Sequence, residues 1–239
     1  MVDSIAKACQ QSVTEITEHF ADIVERVARA ELRASRPPNS VTIIAVSKQQ
    51  PSESIAAAYG AGVRDFGESY VQEALPKMQS LAALDITWHF VGRLQANKTR
   101  PVAEHFAWVH TVDRLRIAER LNEQRPHFAA PLNVLIQVNQ AGEEQKAGAL
   151  PQDVPGLARG ILALPRLKLR GLMTLPPQEG ADALAWFTAL AKLRDLLIAE
   201  GIPLDTLSMG MSGDFEAAIA AGANFVRIGT ALFGSRHRS

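Results

Sequence analysis

A single (β/α)8 barrel of the TIM type, with an extra N-terminal helix, is the α/β fold class that the sequence predicts. Three observations predict it. Short β-rich runs alternate strictly with helical stretches from Val41 onward, which implies a parallel sheet. The runs number eight, and eight parallel strands can close into a barrel that leaves no edge and covers both faces of every strand. The chain has 239 residues, 47% of them apolar and 21% charged, which is an ordinary length for such a barrel and ample material for its core. An open doubly wound sheet is the rival arrangement.

The elements follow in order. Residues 3–35 carry Ile5, Cys9, Val13, Ile16, Phe20, Ile23, Val27 and Ala30 at helical spacing and end before "RPPNS". That pattern predicts one long amphipathic helix within residues 1–36. The barrel is expected over 41–234, in a single domain spanning 1–239, because no linker-like or low-complexity stretch interrupts the alternation. Strands are expected in "VTIIAVS", "DFGE", "TWHFVG", "WVHTV", "NVLIQVN", "KLRGLMTL", "TLSMGM" and "FVRIGTALFG". Helices between them include 113–125 and 182–200, the second with Leu184, Phe187, Leu190, Leu193, Leu196 and Leu197 on one stripe. After the last strand only "SRHRS" remains, too short for a covering helix. The N-terminal helix is therefore expected to close the outer ring.

Charge and cysteine usage narrow the partners. Lys plus Arg and Asp plus Glu both count 25, so no net field recommends nucleic acid or a membrane surface, and a small molecule is the expected ligand. Cys9 is the only cysteine, which leaves no intramolecular disulfide or thiolate metal cluster and fits a reducing cytoplasm. No run approaches the roughly 18 apolar residues of a spanning helix. The six histidines lack metal-ligand spacing, and no dinucleotide or Walker glycine loop occurs.

Chemistry should collect where barrel strands hand over to the following loops. Lys48 closes the first β-rich run, in "VTIIAVSKQQP". A lysine partly desolvated by barrel walls carries more free amine and can attack a carbonyl, so Schiff-base chemistry is the expectation there. "SMGMSGDFEAAI" places Ser212 as the expected N-cap of a helix, with Gly213, Asp214 and Glu216 beside it. "VRIGTALFG" offers Gly229 and Thr230 at the end of the eighth strand. The loops after strands seven and eight form the usual barrel phosphate cradle, and the first strand adjoins the eighth in a closed barrel. An amine nucleophile beside a phosphate site suits a phosphate-bearing aldehyde, with pyridoxal 5′-phosphate the obvious one.

The motifs "AVSKQQP", "DFGESYVQEA", "WHFVGRLQANK", "HTVD", "QVN", "KAG", "GLMT", "LSMGMSGDFEAAI" and "VRIGTALFG" occur in order within the stretch from Val41 to Gly234. Together they resemble the YggS/PROSC family of pyridoxal-phosphate homeostasis proteins. The resemblance implies a barrel similar to the N-terminal domain of alanine racemase, with pyridoxal 5′-phosphate held as an aldimine on Lys48. It also implies phosphate contacts from Ser212, Gly229 and Thr230, and an arginine, Arg227, facing the pyridine nitrogen. A permanent cation there disfavours protonating that nitrogen and weakens the ring as an electron sink. Ser69 stands where the family's motif usually has asparagine, so no amide contact carries over to this position. Asn97 and Met209 match family motif positions, and His89 is a pocket-lining candidate inside "TWHFVG". Lys146, in a polar loop after the fifth strand, is the competitor to Lys48 for the aldehyde and is expected to be solvated.

Three functional readings remain open. The favoured one is a cofactor-binding protein that stores, buffers or delivers pyridoxal phosphate, with apo-enzymes as partners and a monomeric state. The second is a pyridoxal-phosphate enzyme, foremost an amino-acid racemase. Racemisation needs a second acid/base on the opposite cofactor face, and the only tyrosines are Tyr59 and Tyr70, so weak or no racemase activity is expected. The third is a cofactor-free barrel enzyme acting on a phosphorylated sugar.

Overall fold

The structure is a computed structural model that describes residues 2–143, 146–176 and 182–234, with the side chains of residues 2–12 outside that description. The tail "SRHRS" and the side chain of Cys9 therefore lie outside the described part. The chain opens with helix α1 (Val2–Arg33) and then alternates β1 (Thr42–Val46), α2 (Ser52–Gly60), β2 (Asp65–Glu68), α3 (Val71–Ser80), β3 (Thr87–Phe90) and α4 (Thr99–His105). It continues with β4 (Trp108–Val112), α5 (Leu115–Gln124), β5 (Leu132–Val138), α6 (Val154–Leu162), β6 (Leu167–Thr174) and α7 (Ala183–Ala199). It ends with β7 (Thr206–Met211), α8 (Phe215–Ala220), β8 (Phe225–Ile228) and the single turn α9 (Thr230–Phe233). The strands form a closed parallel barrel in the order β1 to β8, so the rival open sheet is set aside. Closure is direct: Ile44 and Ala45 of β1 pair with Arg227 and Ile228 of β8, and Val46 pairs with Gly67 of β2.

Strand parity divides the core in two. Ile44, Leu135, Met173 and Phe225 cluster together; they come from β1, β5, β6 and β8, which can meet only inside the barrel. Their strand neighbours, such as Ala45, Phe66, Ile136, Leu172 and Val226, pack outward beneath the helices in one continuous second cluster. The predicted stripe of α1 holds for Ile16, Ile23, Val27 and Ala30, which are buried, whereas Val13 is exposed. On α7, Phe187, Leu190 and Leu197 are buried while Leu184 and Leu196 face solvent, because those two fall outside the arc that touches the sheet.

The expected role of the N-terminal helix is realised. α1 lies against α2, α8 and α9, filling the gap that a short last helix leaves. Arg26 donates to Glu216 of α8 at 2.6 Å, and the His19 ring meets the Leu232 carbonyl of α9 at 3.0 Å. One strand differs from expectation. The apolar run of "FVRIGTALFG" stops as a strand at Ile228, and Thr230–Phe233 coils into α9, with the Gly229 carbonyl accepting from the Leu232 and Phe233 amides.

Candidate functional site

At the C-terminal ends of the strands lies a cavity of about 560 Å³, within the roughly 300–1,000 Å³ usual for small-molecule sites. Lys48, Ser69, Ser212, Arg227, Gly229 and Thr230 all line it. They arrive from β1, β2, β7 and β8, four adjacent staves of the barrel. The inward face of β1 runs Ile44, Val46, Lys48, so the same alternation that buries Ile44 inside the barrel delivers Lys48 to its mouth.

Lys48 sits in a tight turn. Gln50 N–H donates to the Ser47 carbonyl at 3.0 Å, and Gln49 takes a positive φ of 62°. Both neighbours of the lysine are anchored. Lys77 of α3 donates to the Ser47 carbonyl at 2.8 Å, to Glu68 Oε1 at 2.8 Å and to Glu73 Oε1 at 2.5 Å, using all three ammonium hydrogens. Ser47 Oγ also donates to Glu68 Oε1, at 2.7 Å, and the Gln49 amide donates to Glu73. Glu68 is fully buried. Burial raises its pKa above the usual carboxylate value, with the bonds from Lys77 and Ser47 opposing.

Arg227 is the cation of the cavity wall and is itself almost fully buried, 4% exposed. Burial lowers its pKa to about 10, which still leaves it charged at neutral pH. Its Nη1 donates to Ser208 Oγ at 2.7 Å and its Nη2 to the Thr174 carbonyl at 3.0 Å. From Ser208 a row of polar side chains continues through the barrel. His110 Nδ1 lies 2.9 Å from Ser208 Oγ, His110 Nε2 lies 3.0 Å from His89 Nδ1, and His89 Nε2 lies 2.9 Å from Asp65 Oδ1. Asp65 opens β2 at the opposite end of the barrel.

Around the other side of the cavity, Ser212, Gly213, Gly229 and Thr230 form a rim of hydroxyls and glycines. Ser212 is not the helix cap that the sequence suggests. α8 starts at Phe215 with Asp214 in the capping position, and Asp214 Oδ1 accepts from the Met211 amide at 2.6 Å. Ser212 is thereby left outside the helix, and its Oγ accepts from Ala231 N–H at 3.3 Å, tying the loop after β7 to α9. A Cβ on Gly213 would meet nothing within 4 Å, so the backbone there borders open space. Gly92 shows the reverse: a Cβ there would lie 2.1 Å from the Ser69 carbonyl, so only glycine lets the loop after β3 close onto Ser69.

Three predicted residues are not brought to the cavity. His89 is fully buried inside the barrel, below Val91, which takes the lining position on the same strand face. Met209 points outward into the core under the helices. The register shift between Ser208 and Met211, at a Gly210 with φ of 90°, instead turns Met211 to the cavity. Asn97 is exposed on the short turn Ala96–Lys98, away from the lining residues. Lys146, expected to be solvated, is half-buried, paired with Glu143 at 2.8 Å, and lines the same cavity as Lys48. Glu68, Lys77, Ser208, His110 and Asp65 were not foreseen. The only sequence signal for the histidines was their recurrence at inward positions of "TWHFVG" and "WVHTV".

The alanine racemase N-terminal domain family matches residues 5–237. The chain belongs to that family. Within it, relatives named pyridoxal phosphate homeostasis protein are similar over nearly their whole length. That of Pseudomonas aeruginosa is 53% identical over 224 residues, covering 94% of this chain and 97% of the relative. That of Escherichia coli K12 is 47% identical over 236 residues, covering 95% and 99%. Among solved structures, PipY of Synechococcus elongatus with PLP bound superposes with a TM-score of 0.78 at 39% identity, covering 92% of this chain and all of PipY. The alanine racemase of Corynebacterium glutamicum, at a TM-score of 0.71 and 15% identity, shares the family's barrel, and this chain spans 62% of its length.

Proposed function

We propose that this protein binds pyridoxal 5′-phosphate as a Schiff base on Lys48 and serves cofactor homeostasis by storing, buffering or delivering it. The observation that carries the reading is the shared cavity: a half-buried lysine amine, a rim of hydroxyls and glycines, and a buried guanidinium line one space of about 560 Å³. The donor set suits the cofactor. Ser212, Thr230 and the backbone around Gly213 and Gly229 can cradle a phosphate without a charged partner. Lys48 supplies the amine that adds to the aldehyde carbon with loss of water. Arg227, a permanent donor, suits an unprotonated ring nitrogen. Ser69 offers a hydroxyl on the same wall. The relatives named for pyridoxal phosphate homeostasis and the PLP-bound PipY structure support the same ligand. Action in the cytoplasm, as a monomer that hands the cofactor to apo-enzymes, belongs to this reading.

Borohydride reduction of the pyridoxal-phosphate complex, followed by peptide mapping, tests it. The expected adduct lies on Lys48, and Lys48→Ala abolishes the visible band. Lys146 makes the test a sharp one, since it lines the same cavity. A main adduct on Lys146, or adducts scattered over surface lysines, would sink the assignment.

A further inference from the structure

We propose that Asp65, His89, His110 and Ser208 are positioning residues, a one-way hydrogen-bond chain that fixes Arg227 as a donor toward the ring nitrogen of bound pyridoxal phosphate. The proposal rests on the role given to Arg227 above and extends it across the barrel. All members but Asp65 are almost completely buried, so each link must be satisfied within the row.

The direction of the chain follows from donor chemistry. A carboxylate oxygen only accepts, so His89 carries its hydrogen on Nε2 and donates to Asp65 at 2.9 Å. Burial favours the neutral form of both imidazoles. It lowers the His89 pKa, against the raising effect of the Asp65 carboxylate, and it lowers that of His110, with His89 and Arg227 adding to the effect. A neutral imidazole has one N–H, so His89 Nδ1 accepts from His110 Nε2–H at 3.0 Å. His110 Nδ1 then accepts from the Ser208 hydroxyl at 2.9 Å. With its one hydrogen committed, Ser208 meets Arg227 as an acceptor, at 2.7 Å. Arginine cannot accept a hydrogen bond, so the two ends agree on one polarity. The row leads from the cavity wall to the base of the barrel, where the Asp65 side chain is 24% exposed. A reversed chain would need a donor where Asp65 stands.

The guanidinium plane is then held at two points, by Ser208 on β7 and by the Thr174 carbonyl on β6. Its geometry at the cavity is set by a residue at the far end of the barrel. The test uses the full chain labelled with 15N in its histidines, with and without pyridoxal phosphate. The expected spectrum has His89 and His110 each protonated at Nε2 and bare at Nδ1. Asp65→Asn can donate as well as accept in the same place, so it is expected to introduce Nδ1-protonated forms of both rings. In cofactor titrations, Asp65→Asn and Ser208→Ala are expected to raise Kd about three- to tenfold and shift the visible band, with Ser208→Thr close to the unaltered chain. Should Ser208→Ala not fold, the comparison of Asp65→Asn with Ser208→Thr carries the same test. Either histidine protonated at Nδ1 in the unaltered chain would overturn the proposal. So would an Asp65→Asn variant with both tautomers and the visible band unchanged. The expected tautomers in a chain that binds no pyridoxal phosphate would overturn the cofactor reading and the role of Arg227 with it, while leaving the polarity of the chain intact.

Discussion

Ile44, Val46 and Lys48 share the inward face of β1, and the turn at Ser47–Gln50 holds the last of them at the rim of the cavity. The same alternation places Phe225 in the barrel interior, Arg227 in the cavity wall and Gly229 at its edge. A chemically competent residue two positions beyond a buried one is thus a consequence of strand geometry. Ser212 reaches the rim differently, through a loop ahead of α8, where its Oγ accepts from Ala231 N–H at 3.3 Å. Since it does not cap the helix, Ser212→Ala is expected to lower folding stability by at most about 1 kcal/mol. Loss of a hydrogen bond to a charged phosphate is worth roughly 1.5–3 kcal/mol, so the same change should raise the Kd for pyridoxal phosphate about tenfold or more. Equilibrium dialysis and thermal melts read the two effects separately. A lowered melting temperature with unchanged affinity would reduce Ser212 to a structural tie between the loop and α9.

Elements, rather than single residues, carry the brace behind Lys48. Lys77 on α3 and Glu68 on β2 form a buried pair, with side-chain exposures of 8% and 0%, and together with Glu73 they hold Ser47 and Gln49. Removing one partner of a buried pair strands the other charge, which typically costs about 3–5 kcal/mol. Lys77→Met is therefore expected to destabilise the fold by that amount, and Glu68→Gln with Lys77→Met to restore part of it. Urea unfolding of the two singles and the double measures the coupling; additive singles would show that the pair does not act as a unit. Nothing in "FGESYVQEALPK" announced this brace, because it depends on how α3 leans against the end of β2 rather than on any spacing. Strands such as "DFGE", "WVHTV" and "TLSMGM" were legible to the residue, since each is a short run set between helical stretches. "FVRIGTALFG" was read too long because "TALF" is as apolar as a strand, and only the backbone bonds to the Gly229 carbonyl coil it into α9. Lys48, Ser212, Gly229 and Thr230 were legible as residues of the cavity through their places where strands pass into loops, whereas Arg227 came only from the family resemblance. Asn97 and Met209 do not line the cavity, because adjacency within a motif says nothing about which way a loop or a strand face turns.

Across the whole molecule, burial in the barrel interior disfavours the charged form of its two histidines, and this couples stability to pH. His89 and His110 are fully buried, and burial lowers both pKa values, His110 well below the ordinary 6.5. The unfolded chain binds protons at these histidines once the pH drops below about 6.5, whereas the folded chain resists until lower pH. Their contribution to stability is therefore complete above that value and is lost as the pH falls toward the folded values. Each histidine can supply a slope of up to about 1.4 kcal/mol per pH unit in that window. Glu68 acts with the opposite sign. Its folded pKa is raised by burial, so its contribution is greatest below the unfolded value near 4.5 and is lost as the pH rises through the folded one. The window just below 6.5 accordingly belongs mainly to the histidines, and the carboxyl group tempers the decline further down. Urea unfolding at intervals from pH 7.5 to 5.0 should show stability falling below about pH 6.5. His110→Gln removes one of the two groups and should flatten that fall by about half. A stability profile level down to pH 5.5 in the unaltered chain would mean that the two rings take up protons inside the barrel. The one-way chain from Arg227 to Asp65 could not then exist as drawn, because a protonated imidazole has no nitrogen left to accept.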